Sequence, residues 1–598
     1  MAGKPRQRDK HKQPAGGREP SAASAGPKRP IPPLGAKTVW WYAPLLIAVA
    51  FLIYYPSLHG PFILDDYDFM ESNSAVRTGD WGQNIRSGRP LLMLTFIANY
   101  RLHGFDPLGF HVVNVFLHAL NAIILWRFLA ALLAGGRLDA WVPPGWRNIL
   151  LYAVPALFLT SPIQTESVAY VSSRSELLAS LFYLLALWLF VSRFTGNHPW
   201  PSALLIGVLF VCSALSKQDK LTLPAAILLT DYLLLSGCDW RGMKRNWRLY
   251  AFFAAGSIAG FFILIRPILF STTVGFSLPW REYLFTQFRV HFLYLKLLFV
   301  PFGLNLDPDI AGSASLGEHF SWLALIGLIG IVAALIYCHR RARILAFGGL
   351  FYFLVLAPTS SFFPILDFAA ERRLYLPSVG FFLALAAGLM WIWRLKPGAG
   401  SIVFALLTLV YSGGTFARAQ VWSDGVTLWE DTAAKSPEKA RPLIWLGKEY
   451  DARGEAVRSL ELWERAANFV EKGSLEHGHL LNNLALAQAR LKNYDLAVKY
   501  YQQSVAMIPR AGPIWANLAV AQMRLGREEE AWKSFDKAVE QSRSGSPQVF
   551  KLRGQEYFLK KRYEEAAADF RRALELDPDD PDARYNLEGT LKILGRTQ

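Results

Sequence analysis

An all-α fold is predicted, a polytopic helical membrane domain of about eleven spans followed by a C-terminal α-solenoid, and three observations predict it. Of the 598 residues, 52% are hydrophobic, 14% aromatic and only 18% charged, a balance too apolar for a soluble enzyme. Apolar runs of about 20 residues, the length that crosses a bilayer, recur from Val39 to about residue 418. In the last third, Ala485, Ala519 and Gly554 stand 34 and 35 residues apart, as do Ala497, Ala531 and Ala566, which is the period of stacked helix pairs.

Charge places these parts relative to a membrane. The net charge of +16 comes from Lys and Arg gathered in the N-terminal tail and between apolar runs. That is the positive-inside pattern and implies topology, with no nucleic-acid partner. Residues 1–37 are basic and rich in Gly and Pro without apolar period, so a disordered cytoplasmic tail is expected, and the run after it reads as a retained anchor. Further spans centre near Ile123, Ala156, Leu184, Ile206, Leu228, Ser257, Leu328, Leu350, Leu385 and Leu407. The segment from Arg281 is apolar but carries Glu282, Arg289, His291 and Lys296. If it crossed, the His339–Arg343 cluster and the Arg394, Lys396 pair would lie outside, so it is expected along the outer interface, with the N-terminus in and residues 419–598 out. Cys212, Cys238 and Cys338 lie in or beside apolar segments and imply neither a disulfide framework nor a metal site.

This topology gathers five polar loops on the outer face. Asp65 and Asp66, in GPFILDDYDFM just beyond the first span, suit a general base, a cation site or a helix cap. The loop SPIQTESVAYVSSRSE carries Glu166 and Glu176, the SKQDK turn Lys217 and Lys220, the interfacial segment Arg289, and SFFPILDFAAERRLYLPS Glu371, Arg372 and Arg373. Ionisable groups near hydrocarbon are functional candidates by default, though each alone also reads as a snorkelling or ion-paired side chain. Glu176 is expected to answer Arg174, and Glu371 the arginines next to it. In the second span His111, Asn114 and His118 share a helix face. His118 is expected to hydrogen-bond a neighbouring helix, while His111 at the outer end suits an anionic ligand or one of the aspartates.

RPLLMLTFIANYRLHGFDPLGFHVVNVFLHALN, LTSPIQTESVAYVSSRSELLASLFYLLA, ALSKQDKLTLPAAILLTDYLL and FPILDFAAERRLYLPSVGF resemble, in order and spacing, the motif blocks of the transmembrane and tetratricopeptide-repeat O-mannosyltransferases. A His-Pro-Ile-His block of animal members reads Ser161, Pro162, Ile163, Gln164 here. The resemblance implies a C-type glycosyltransferase (GT-C-like) domain over residues 38–418 and a tetratricopeptide-repeat (TPR) domain over 419–598. It implies transfer of mannose or another hexose from a polyprenyl-phosphate carrier to a protein Ser/Thr hydroxyl, with Asp65 and Asp66 in the family's acidic motif and Asp65 favoured as base. Arg289, Arg372 and Arg373, with Lys217 and Lys220 behind them, are the expected clamp for the donor phosphate. His111, Glu166, Glu371 and Arg89 are the pocket candidates. Paired carboxylates are compatible with a divalent metal, but no ligand set accompanies them.

Tandem repeats are expected at about 481–509, 515–545 and 549–578. A degenerate repeat begins at Arg441, an amphipathic joining helix precedes it, and a capping helix follows from Asp582. A solenoid groove suits the acceptor protein or a partner. The absence of cysteines from the outer domain and of a retention signal points to a bacterial inner membrane with periplasmic repeats, or, in a eukaryote, to the endoplasmic reticulum with lumenal ones. A lipid-linked glycan ligase or polymerase, and a membrane-anchored repeat scaffold without catalysis, are the rival classes.

Overall fold

The computed structural model describes residues 3, 41–71, 73–79, 82, 88–134, 138–139, 141–193, 199–260, 262–263, 278–361, 363–392, 396–542 and 545–596. The basic tail expected over residues 1–37, Gly3 apart, and Arg394 lie outside that set. All regular structure among the described residues is helical. Each of the predicted apolar runs contains helix, but continuity varies. Tyr42–His59, Pro107–Ala134, Val171–Ser192, Glu318–Cys338 and Pro397–Val421 are long and apolar enough to cross a membrane, and Pro201–Ser216, Arg343–Leu356 and Pro377–Met390 are shorter. Two others change winding: Ile149–Ala153 is π-helical before Val154–Thr160, and Asp231–Leu235 is π-helical after Leu223–Thr230. Pro224 stands in the first turn of its α-helix, where a missing N–H is tolerated, whereas Pro155 lies inside a continuous helical run, just after the change of winding at Ile149–Ala153.

Helix ends sort into two layers. In one, Tyr42 donates to the carbonyl of Tyr152 (2.6 Å), the Arg343 guanidinium lies 4.6 Å over Trp141, and the Cys238 thiol meets the His339 carbonyl. In the other, residues 60–66, 161–176, 357–361, 363–376 and 422 converge. The helix Trp280–Phe299 stays in this second layer and crosses the ends of its neighbours: Tyr283 donates to the carbonyl of Thr359 (2.6 Å), and Ala370 donates to Tyr294 Oη (3.0 Å). Its buried face is Tyr283, Thr286, Gln287, Val290, His291, Tyr294 and Leu298, an amphipathic pattern.

The polar stripe of Pro107–Ala134 is interhelical glue. Asn114 binds the Val168 carbonyl and accepts from Arg174 Nε (2.7 Å), His118 bonds Tyr375 Oη (2.8 Å) and the Leu159 carbonyl (3.0 Å), and Asn121 reaches the Leu177 carbonyl (3.0 Å).

Beyond Val421 the chain forms antiparallel helix pairs: Ala440–Ala452 with Ala456–Ala466, Leu475–Arg490 with Tyr494–Met507, Gly512–Arg524 with Glu528–Gln541, and Pro547–Leu559 with Tyr563–Leu576. Pro581–Ile593 follows the last pair. Gly425–Lys435, capped by the Asp424 side chain on Thr427 N–H (3.1 Å), joins bundle to solenoid. Polar contacts tie the solenoid back at two places. Near its start, Lys439 and Arg441 pair with Asp307 (2.6 and 3.4 Å); near its far end, Asp577 pairs with Arg77 (2.5 Å) and Asp579 accepts from Tyr100 (2.9 Å).

Candidate active site

The acid loop leaves the first span through Tyr55–His59 and turns at Gly60, where a Cβ would collide with the Trp422 carbonyl oxygen. His111 Nε2 bonds the Gly60 carbonyl (3.0 Å) and is itself buried, so it steadies the turn and touches neither aspartate nor an open pocket. Leu64 then adopts φ 45°, a left-handed conformation that branched side chains resist. This twist sends the two carboxylates in opposite directions. Asp66 is fully buried: it accepts from Ile63 N–H (3.1 Å), Ser172 N–H (2.7 Å) and the Ser172 hydroxyl. Asp65 is exposed, and among the described residues its carboxylate makes no hydrogen bond or ion pair, while its N–H donates to Tyr170 Oη (3.0 Å).

The pair therefore does not act as two equivalent acids. Burial pushes the Asp66 carboxyl up to about 7 despite its three donors. A carboxyl that titrates near 7 when folded and near 3.8 otherwise binds its proton more tightly in the native state, so stability declines as pH rises through that interval. Thermal unfolding between pH 4 and 7 is expected to lose this component of its slope in Asp66→Asn.

The second half is cationic. Glu166, fully buried, pairs with the Arg372 guanidinium and accepts the Arg372 N–H (3.0 Å). Arg372 keeps 23% of its side-chain surface, lies 5.7 Å over the Tyr170 ring and stands 3.7 Å from Asp367. Although burial opposes its charge, Glu166 holds Arg372 firmly protonated. Arg441 from the solenoid binds the other oxygen of Asp367 (2.9 Å); burial would raise that carboxyl, but Arg441 and Arg372 hold it below the usual range.

Between these halves lies a cavity of about 720 Å³ lined by both parts of the chain. Asp65, Tyr67, Asp68, Tyr170 and Arg372 line it from the bundle, and Arg441, Trp445, Lys448 and Glu449 from the helix Ala440–Ala452. Of the five outer loops, four reach it, the segment from Arg281 only at Leu306. The solenoid residues were missed because the Arg441 segment reads as a degenerate repeat. Their signal was available: 441, 445, 448 and 449 fall on one helix face, opposite the buried Leu443, Leu446 and Gly447.

The remaining predicted residues lie elsewhere. Arg289 donates to the Ala311 carbonyl (2.9 Å) and Ser313 Oγ (3.2 Å) and does not line the cavity. Arg373 is buried and clamps its own loop through the carbonyls of Asp367 (2.7 Å) and Phe368 (3.1 Å). Lys217 and Lys220 both pair with Glu176 and Asp219, so Glu176 answers these lysines and not Arg174, which is consumed by Asn114, Asn99 and the Phe110 carbonyl. Glu371 does not answer its neighbouring arginines; it accepts from Asn305 N–H, and burial raises its carboxyl. Arg89 lies 5.7 Å over Phe69, away from the cavity lining. Gln164 is buried and donates to Ser378 Oγ (2.8 Å), a helix-packing bond. A charge-pattern reading could not separate these cations, because each sits near span ends and only packing decides which face a pocket. Among the described residues, no three His, Cys, Asp or Glu are grouped to hold a metal ion. With Asp66 turned inward, the aspartate pair does not fit a shared cation.

Comparisons with known proteins agree with the architecture. A tetratricopeptide-repeat profile matches residues 482–547, and a TPR-repeat profile matches residues 554–587. A Caenorhabditis elegans protein O-mannosyl-transferase is 27% identical over 426 residues, covering 68% of this chain and 59% of that protein. Protein O-mannosyl-transferase TMTC4 of Mus musculus is 27% identical, covering 72% of this chain and 66% of its own length. Protein O-mannosyl-transferase TMTC3 of Homo sapiens is 23% identical, covering 91% and 65%. The chain thus spans about three fifths to two thirds of the length of these curated relatives.

Proposed function

We propose that this chain, which fits the transmembrane and tetratricopeptide-repeat O-mannosyltransferase family, is a membrane-embedded glycosyltransferase. It moves mannose or another hexose from a polyprenyl-phosphate carrier to a protein Ser or Thr hydroxyl. The observation that carries this reading is the opposition of one unpartnered carboxylate, Asp65, to one buttressed guanidinium, Arg372, across a single cavity.

The chemistry follows from the two side chains. Asp65 accepts the proton of the acceptor hydroxyl as its oxygen bonds to the anomeric carbon. The bond from that carbon to the phosphate oxygen breaks, and its electron pair stays on the phosphate. Arg372, kept charged by Glu166, faces the growing negative charge on that leaving group. Tyr170 links the two halves, its hydroxyl on the Asp65 backbone and its ring beneath Arg372.

In this reading residues 38–418 form the transferase domain, and residues 419–598 receive the acceptor or a partner protein. About eleven crossings belong to this reading: five helices are long and apolar enough to span, the other apolar runs are shorter or change winding, and the transverse course of Trp280–Phe299 supports its place at the outer interface. The cavity then opens on the extracytoplasmic face, in a bacterial inner membrane or, in a eukaryote, the endoplasmic reticulum. Purified protein is to be given a panel of polyprenyl-phosphate sugars and a Ser/Thr-rich peptide, with and without chelator. Glycopeptide detected by mass supports the reading. Transfer only onto lipid-linked glycan would make it a ligase or polymerase, and no transfer from any donor would leave a scaffold.

A further inference from the structure

The helix Ala440–Ala452 belongs to the repeats by sequence, yet it grips both halves of the cavity. Trp445 is sandwiched between Tyr67 (ring centroids 5.9 Å apart, planes 15° apart) and Trp429 (5.8 Å, 14°). Tyr67 closes the turn that carries Asp65, its N–H donating to the Leu64 carbonyl (3.2 Å). Ile63, Tyr170, Leu306, Trp422, Trp429 and Leu443 share one apolar core, so acid loop and solenoid base pack as one body. On the other side Arg441 holds Asp367 (2.9 Å), the carboxylate 3.7 Å from Arg372, and also Asp307 (3.4 Å).

We propose that this helix is a positioning element of the active site: Trp445 sets Asp65 through Tyr67, and Arg441 keeps Asp367 from closing on Arg372. The solenoid base is then part of the catalytic machinery, and transfer depends on it even for a short peptide that engages no other repeat. The inference rests on the transferase reading for its kinetics but not for its structural half.

The two residues act on different steps. Loss of the Trp445 stack frees the carboxylate to wander from its attack geometry, an error to which rate is steeply sensitive. Trp445→Leu keeps an apolar side chain against the shared core and removes the stack. It is expected to lower kcat by about 10- to 100-fold with donor KM nearly unchanged, and Trp445→Phe is expected to recover most of the rate. In Arg441→Ala, Asp367 is released toward Arg372 and competes with the donor phosphate, so donor KM is expected to rise about tenfold with a smaller change in kcat.

The test pairs these kinetics, on full-length protein with mannosyl phosphoryl polyprenol and a Ser/Thr peptide, with amide hydrogen exchange. Exchange should quicken across residues 60–71 in Trp445→Leu and across 363–376 in Arg441→Ala, each without the other. Unchanged exchange at the named segment, or Trp445→Phe as slow as Trp445→Leu, would overturn the proposal. If the parent protein transferred no sugar the transferase reading would fail instead, and exchange alone would still decide whether the helix positions these loops; full activity in Asp65→Asn would remove Asp65 as the base and with it the kinetic half of the proposal.

Discussion

Replacing Asp65 with Asn is expected to lower sugar transfer by about 10²- to 10⁴-fold, the usual worth of a positioned general base, while thermal stability stays at the parent value. The expectation rests on where the carboxylate points. It lines the cavity, is exposed, and supports nothing: the local bond is made by its backbone N–H to Tyr170, which Asn preserves. Asp66→Asn makes the contrast. That carboxylate accepts three hydrogen bonds inside the protein, so its loss should appear in unfolding and its pH dependence first. Equal catalytic losses in both variants, each with an intact fold, would mean that the aspartates act together and that the division of labour drawn from Leu64 is wrong.

The second large effect is expected at the Glu166–Arg372 pair. Glu166→Ala removes the partner of a charge that is mostly enclosed, and breaking a buried pair from one side typically costs about 3–5 kcal/mol. With 23% of its side chain exposed, Arg372 recovers part of that from water, so a loss toward the lower end is expected in detergent unfolding. Arg372→Ala strands Glu166 instead, which is fully buried and has no such relief; it should be the less stable variant and should fail to bind donor. The double substitution Glu166→Gln with Arg372→Gln leaves neither member of the pair charged. Recovery of the fold without recovery of transfer is the outcome that assigns Arg372 to the leaving phosphate; recovery of both would remove it from the mechanism.

Much of this organisation was legible in the sequence, for reasons that differ by region. Apolar length and the 34-residue period are one-dimensional signals, and the helices follow them. The acid loop was legible less from its spacing, which suits a helix cap as well as a base, than from the family motif it resembles. Which of its two aspartates faces the cavity depends on the φ of Leu64 and on Ser172, over 100 residues away, and neither is written locally. The cations resisted for a related reason. Arg289, Arg373, Lys217 and Lys220 are, like Arg372, cations near span ends, and only the partners that each finds in three dimensions separate them. Trp445 and Arg441 were hidden by their membership of a repeat, since a helix read as a stacking unit is not searched for a polar face.

The contacts of Asp577 with Arg77 and of Asp579 with Tyr100 give the solenoid a second footing on the bundle. A superhelix fastened at one end tolerates gain or loss of a helix pair, because the free tip merely travels. Fastened at both ends, it behaves as the span of a bridge whose abutments are fixed. Because the first helices of successive pairs touch one another, inserting or deleting one pair between Leu475 and Leu576 would displace the far footing by about one interhelical spacing, roughly 8–10 Å, and break its contact with Arg77. The number of repeats between the footings is therefore set by the membrane domain beneath them.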